Sequence, residues 1–101
     1  MRLTDLNPRF YVLVDGGPRV GLTFECPHCR ETRLGVLFHH RGHEAMEDEV
    51  IHAEAPANHD PIWTWDGTDF TDLSLSPSVD ASGRGHWHGF VSNGEVTNAN
   101  G

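Results

Sequence analysis

Cys26 and Cys29 are the only cysteines in the chain and stand two residues apart in Cys26-Pro27-His28-Cys29. At that spacing one tight turn aims both thiolates at a single metal ion. His86-Trp87-His88, near the other end of the chain, offers the second pair of ligands, because alternate residues of a strand project to the same face. Cys26, Cys29, His86 and His88 then form a Cys2His2 set of the kind zinc prefers. Four protein ligands leave no position for substrate, so such an ion is structural rather than catalytic. Three other readings use the same residue types. The cysteines can be core residues beside surface histidines, or they can form a redox disulfide, although no βαβ pattern surrounds them. Alternatively, His28, His39, His40 or His43 replaces one of the late histidines. His39 and His40 are adjacent and point to opposite faces of a strand, so both serve only if the chain turns there.

Catalytic alternatives start from the remaining histidines. His52-Ala53-Glu54 matches the His-X-Glu half of the zinc deaminase signature, in which glutamate moves protons while zinc activates water. The Cys-X-X-Cys half should follow that motif, and here it precedes it. His86-Trp87-His88 also imitates the first metal motif of a cupin, but no histidine follows His88. A nuclease built on the cysteine pair with His39 and His40 lacks a basic surface. No catalytic residue is assigned on this reading. The alternative of a metal-dependent hydrolase, deaminase-like or nuclease-like, returns if His28, His43 or Glu95 replaces a named ligand and leaves an open site.

The 101 residues are of single-domain length. Fifteen Asp and Glu against seven Arg and no Lys give a formal net charge of −8. That balance argues against a nucleic-acid partner, since duplex binding draws on neutralised phosphates. Eight histidines would remove much of this charge as pH falls through about 6.5. The Leu, Ile, Val and Phe content is lean for a self-sufficient core, and zinc bound on folding contributes on the order of 10 kcal/mol in small domains. Asp5, Pro8 and Arg9 interrupt the start of the chain where a secretory leader needs an apolar core. No apolar run reaches membrane-spanning length. The expectation is a soluble protein of a reducing cytosol.

The elements that must position these ligands read as strands. Residues 9–14 and 20–25 flank the turn Asp15-Gly16-Gly17-Pro18 as a hairpin that delivers Cys26. A third strand is expected over 33–38. The acidic stretch 44–55 reads as a solvated loop with at most a short helix. Residues 62–66 form a short strand with Trp63 and Trp65 on one face, as core, shielding wall or interaction surface together with Trp87. Leu73-Ser74-Leu75 alternates and is interrupted by Ser76-Pro77-Ser78, as in an edge strand or one that bends at the proline. After a turn-rich connection over 80–85, residues 86–92 form the last long strand. Asn93-Gly94 turns it back into 95–97, and 98–101 should fray. The fold class is all-β, a small antiparallel β-sandwich or open barrel stapled by one zinc site, with residues 1–97 as a single domain.

Three runs carry a resemblance: 21–29 ending in Cys26-Pro27-His28-Cys29, 73–79 with Leu75-Ser76-Pro77-Ser78, and 85–96 with His86-Trp87-His88-Gly89-Phe90 and Asn93-Gly94-Glu95. Together with Asp5-Leu6-Asn7-Pro8-Arg9 they resemble small zinc-binding bacteriophage and prophage proteins of unknown function, some of them mislabelled ammonia monooxygenase. The match covers nearly the whole chain and runs out over 44–60. The resemblance implies a phage-encoded zinc-bound β domain and supplies no activity. The expected role is a protein-interaction module, either a virion accessory subunit or a binder of a host protein, without nucleic-acid or membrane partners. Its expected location is the cytoplasm of the infected bacterial host or the virion.

Overall fold

The computed structural model describes residues 1–14, 16–52 and 61–99, with backbone alone at 51 and 52. Nine strands among these residues make an all-β fold of three small sheets that do not close into a barrel. The first sheet holds β1 (Arg9–Val12), β2 (Arg19–Glu25), β3 (Arg33–Leu37) and β4 (Val50–His52) in the order β3-β2-β1-β4. The second pairs β5 (Thr64–Asp66) with β6 (Ser74–Ser76), and the third is β7 (Val79–Asp80), β8 (His88–Ser92) and β9 (Glu95–Asn98) in chain order.

β1 and β2 form the expected hairpin, with Phe10 opposite Leu22 and Arg9 opposite Thr23. β1 is shorter than the sequence pattern indicates, because Leu13 and Val14 bend out into solvent and Gly17 N–H closes a turn on Val14 O. β2 pairs with β3 from Gly21–Leu37 to Glu25–Arg33. The alternation in β3 buries Leu34 and Val36 on the inner face. Asn93 and Gly94 both take positive φ, 50° and 77°, as a two-residue hairpin turn between β8 and β9 requires. β9 continues through Asn98, and Ala99 N–H donates to His88 O, so pairing extends beyond the boundary expected at 97.

The core gathers Leu3, Leu6, Phe10, Leu22, Phe24, Cys26, Val36, Leu73, Leu75, Trp87 and Val91 from all three sheets, their connections and the N-terminal 3-10 turn Leu3–Leu6. The tryptophans divide. Trp87 is core, edge-on to Phe24 at 6.0 Å, with its indole N–H donating to Asn98 Oδ1 at 2.9 Å. Trp65 stacks on Phe38 at 5.2 Å, and Trp63 is half-buried against the same core. Gly89 exists for this packing, since a Cβ there would stand 2.2 Å from the Trp87 ring and 2.1 Å from Thr97 O.

The acidic stretch departs from expectation. It contains the 3-10 turn Glu47–Glu49 and then β4, which runs parallel to β1 with Phe10 opposite Val50. A three-residue strand shows too little alternation to be read from sequence. Glu49 is buried and meets the buried Arg19 at 2.5 Å, while the guanidinium also lies 4.4 Å over the Phe10 ring. Removing one partner of such a pair strands a buried charge. Glu49→Ala should therefore lower stability by about 3 kcal/mol, measured as a shift of the urea midpoint at constant m-value. A surface substitution such as Glu47→Ala should stay within about 0.5 kcal/mol.

Candidate functional site

β2 ends at Glu25 and hands Cys26 to a tight loop, in which Cys26 N–H donates to Thr32 O at 2.7 Å and Arg30 N–H donates to Cys26 O at 2.8 Å. Arg30 takes the left-handed conformation, φ 62°, and reverses the chain into β3. This loop brings Cys29 back beside the buried Cys26. His86 comes from the far side of the sequence, and the donor atoms of Cys26, Cys29 and His86 all lie within 4.8 Å of one another. Cys29 Sγ is 3.8 Å from His86 Nδ1.

The electrostatics suit a metal. Backbone N–H groups of Glu31 and Thr32 hold the Cys29 thiol down to about 7, with smaller help from Cys26 and His86. A thiolate is the form that ligates, and backbone donors to a ligating sulfur also fix its orientation. Two sulfurs and one imidazole nitrogen are three of the four donors of a tetrahedral ion, so these three residues can form a metal site with the fourth position left to another ligand. Cys29 and His86 also have the atoms of a thiolate–imidazole pair, but the fully buried Cys26 beside them favours ligation.

His88 does not join this cluster. Its Nε2 is 3.3 Å from Ser78 Oγ, and its Nδ1 is 4.0 Å from Asp80 Oδ1. The expectation that His86 and His88 share a face required both to lie in one strand. β8 begins at His88, however, and His86 sits in a tight loop where its N–H donates to Ala81 O while Ala81 N–H donates to Trp87 O. The alternation rule therefore does not relate them. His28, His39, His40 and His43 are exposed, and none of them is grouped with the two cysteines. His39 and His40 follow β3 with ring centroids 6.5 Å apart. The His52 side chain and Glu54 lie outside the described residues.

Ser78 and Asp80 were missed by sequence reasoning, and the structure places them with His88. β7 pairs antiparallel with β8 so that Asp80 stands opposite His88 and Val79 opposite Gly89. Ser78 immediately precedes β7, after the cis Ser76–Pro77 bond. Asp80 Oδ1 accepts from Ser82 Oγ at 2.6 Å and Ser82 N at 3.0 Å. These bonds, with the neighbouring His88 a smaller cause, hold its carboxyl below the usual carboxylate range. Asp80 is therefore ionised wherever an imidazole is neutral. Serine hydroxyl, imidazole and carboxylate in this order are the parts of a nucleophile, its base and the group that orients the base. A separation of 3.3 Å is ordinary for such a pair without substrate, whereas at 4.0 Å Asp80 is an electrostatic neighbour of Nδ1 rather than its hydrogen-bond acceptor. The signal available in the sequence was Ser-X-Asp followed by a histidine that a hairpin could bring opposite.

The family model for BubE, described as a bacterial ubiquitination-like system serine protease, matches residues 2–99. No curated protein and no solved structure matches the chain.

The two clusters separate by substitution. Cys26→Ser and His86→Ala should each lose bound metal by elemental analysis, whereas His88→Ala should retain it at the wild-type ratio. Loss of metal in His88→Ala equal to that in His86→Ala would return His88 to the ligand set.

Proposed function

We infer that this chain, which belongs to the BubE family of bacterial ubiquitination-like system serine proteases, is itself a serine hydrolase with Ser78 as nucleophile. The observation that carries the reading is His88, whose two ring nitrogens face Ser78 Oγ and Asp80 Oδ1 at 3.3 and 4.0 Å. With the Nδ1 proton toward Asp80, Nε2 accepts the Ser78 proton as Oγ attacks an acyl carbonyl carbon. The imidazolium that forms is stabilised by the ionised Asp80. Collapse of the tetrahedral intermediate breaks the acyl bond, and His88 gives its proton to the leaving group. Water then attacks the Ser78 ester with His88 again as base, releasing the acid and restoring the hydroxyl.

Zinc is the ion we assign to Cys26, Cys29 and His86, whose sulfur and imidazole donors it favours. Bound there, it would supply a tie between the Cys26–Cys29 turn and the loop leading into β8. His86 is two residues from His88, so holding the first restrains the start of the strand that carries the second. His88 belongs to the hydrolytic set on this reading and is not a zinc ligand.

A second reading, the phage-encoded interaction module, is favoured by the burial of Cys26 in the core, which suits a metal serving the fold alone. Labelling separates the two. Wild-type protein should react with a fluorophosphonate probe at Ser78, identified by peptide mass spectrometry, and Ser78→Ala and His88→Ala should not be labelled. Asp80→Asn should slow 4-nitrophenyl acetate hydrolysis by about 10⁴-fold if its role matches that of the triad carboxylate. Ser76→Ala should label normally. Folded, metal-loaded protein without labelling would sink the hydrolase reading.

A further inference from the structure

A groove of about 460 Å³ lies between two strand edges, lined on one side by Thr32, Arg33, Leu34 and Gly35 and on the other by Val79, Asp80, Ala81 and His86, with Trp63 also in the lining; Ser78 adjoins it as the residue before Val79. The volume is that of a small-ligand or peptide site. β3 is the outermost strand of its sheet, and β7 the outermost of its own. Leu37 O accepts from Trp63 N and His39 N donates to Trp63 O, whereas Phe38 N turns inward to Val20 O. Odd-numbered residues of β3 thus direct their backbone groups away from β2. By the same alternation the N–H and C=O of Arg33 and Gly35 face outward, and no backbone partner is recorded for them among the described residues. Trp63 already pairs one residue in parallel with Phe38 at the end of this edge. Its indole N–H reaches Ser78 O at 3.4 Å, linking the wall of the groove to the residue it borders.

We propose that the polypeptide segment next to the scissile bond lies extended in this groove, adding a strand to β3 through the outward backbone groups of Arg33 and Gly35. The proposal rests on Ser78 being the nucleophile. An open edge offers main-chain hydrogen bonds that any extended segment can make, and the lining side chains at alternate positions add selectivity. Arg33 and Arg84 stand in the lining against one carboxylate, Asp80. A segment alternating apolar and acidic side chains therefore fits better than a basic one.

The probe is acetyl-Val-Glu-Val-Glu-Val presented as its 4-nitrophenyl ester, compared with 4-nitrophenyl acetate, on metal-loaded protein. Gly35→Pro deletes the outward N–H without touching a bond to β2, since proline is tolerated at a strand edge. Gly35→Ala keeps the N–H and brings the same Cβ, 3.1 Å from Tyr11 Oη, so it serves as the steric control. The ratio of kcat/KM for the peptide ester to that for the acetate ester should fall at least tenfold in Gly35→Pro and less than threefold in Gly35→Ala. Hydrogen exchange is the second measurement: the corresponding peptide amide bound to Ser78→Ala should protect residues 33–37, and Gly35→Pro should remove that protection. An unchanged ratio, or no protection, overturns the added strand. Absence of hydrolysis of either ester by wild-type protein, with protection retained, overturns the nucleophile and keeps the peptide site.

Discussion

The register of β7 against β8 governs the chemistry available to this fold. Asp80 stands opposite His88, and Ser78 is two residues from Asp80 along the same edge. Shifting an antiparallel pair by one residue turns every side chain to the other face, so the meeting of hydroxyl, imidazole and carboxylate depends on that register. The register is itself held from several directions. Val79 is buried in the core, Gly89 lets the Trp87 ring close over the strand, and Asp80 is fixed by Ser82.

The metal-competent cluster acts on the same segment. Cys26 is both a core residue and a ligand candidate, so the turn it opens is anchored by hydrophobic packing as well as by its backbone bonds. His86 leaves the loop between β7 and β8 toward Cys29, and His88 enters β8 toward Ser78. Neighbouring histidines thus serve two clusters. The chain achieves this by beginning the strand between them, which abolishes the shared face that continuous extension would impose.

The acidic balance of the chain is uneven in its consequences. Glu49 lies within the stretch that reads as solvated, yet it is the buried partner of Arg19 and anchors the 3-10 turn leading to β4. Most of the other acidic side chains among the described residues are exposed. The chain belongs to the BubE family, and the grouping of Ser78, His88 and Asp80 uses none of the residues of the metal-competent cluster.

Local sequence by itself determined the strands with strong alternation, the Asn93-Gly94 turn, the all-β class and the pairing of Cys26 with Cys29 in one turn. Those features follow from short-range rules: side-chain period, turn stereochemistry and ligand spacing. Only the tertiary structure decided the rest. It separated His88 from His86, buried Glu49, recruited β4 as a parallel strand, and set Ser78 and Asp80 before His88. Each of those outcomes depends on where a strand begins or on which residues become neighbours once the sheets pack. A serine near a proline and an aspartate two residues later have no distinctive spacing until a hairpin register supplies the imidazole. That register is set by core packing over the whole molecule.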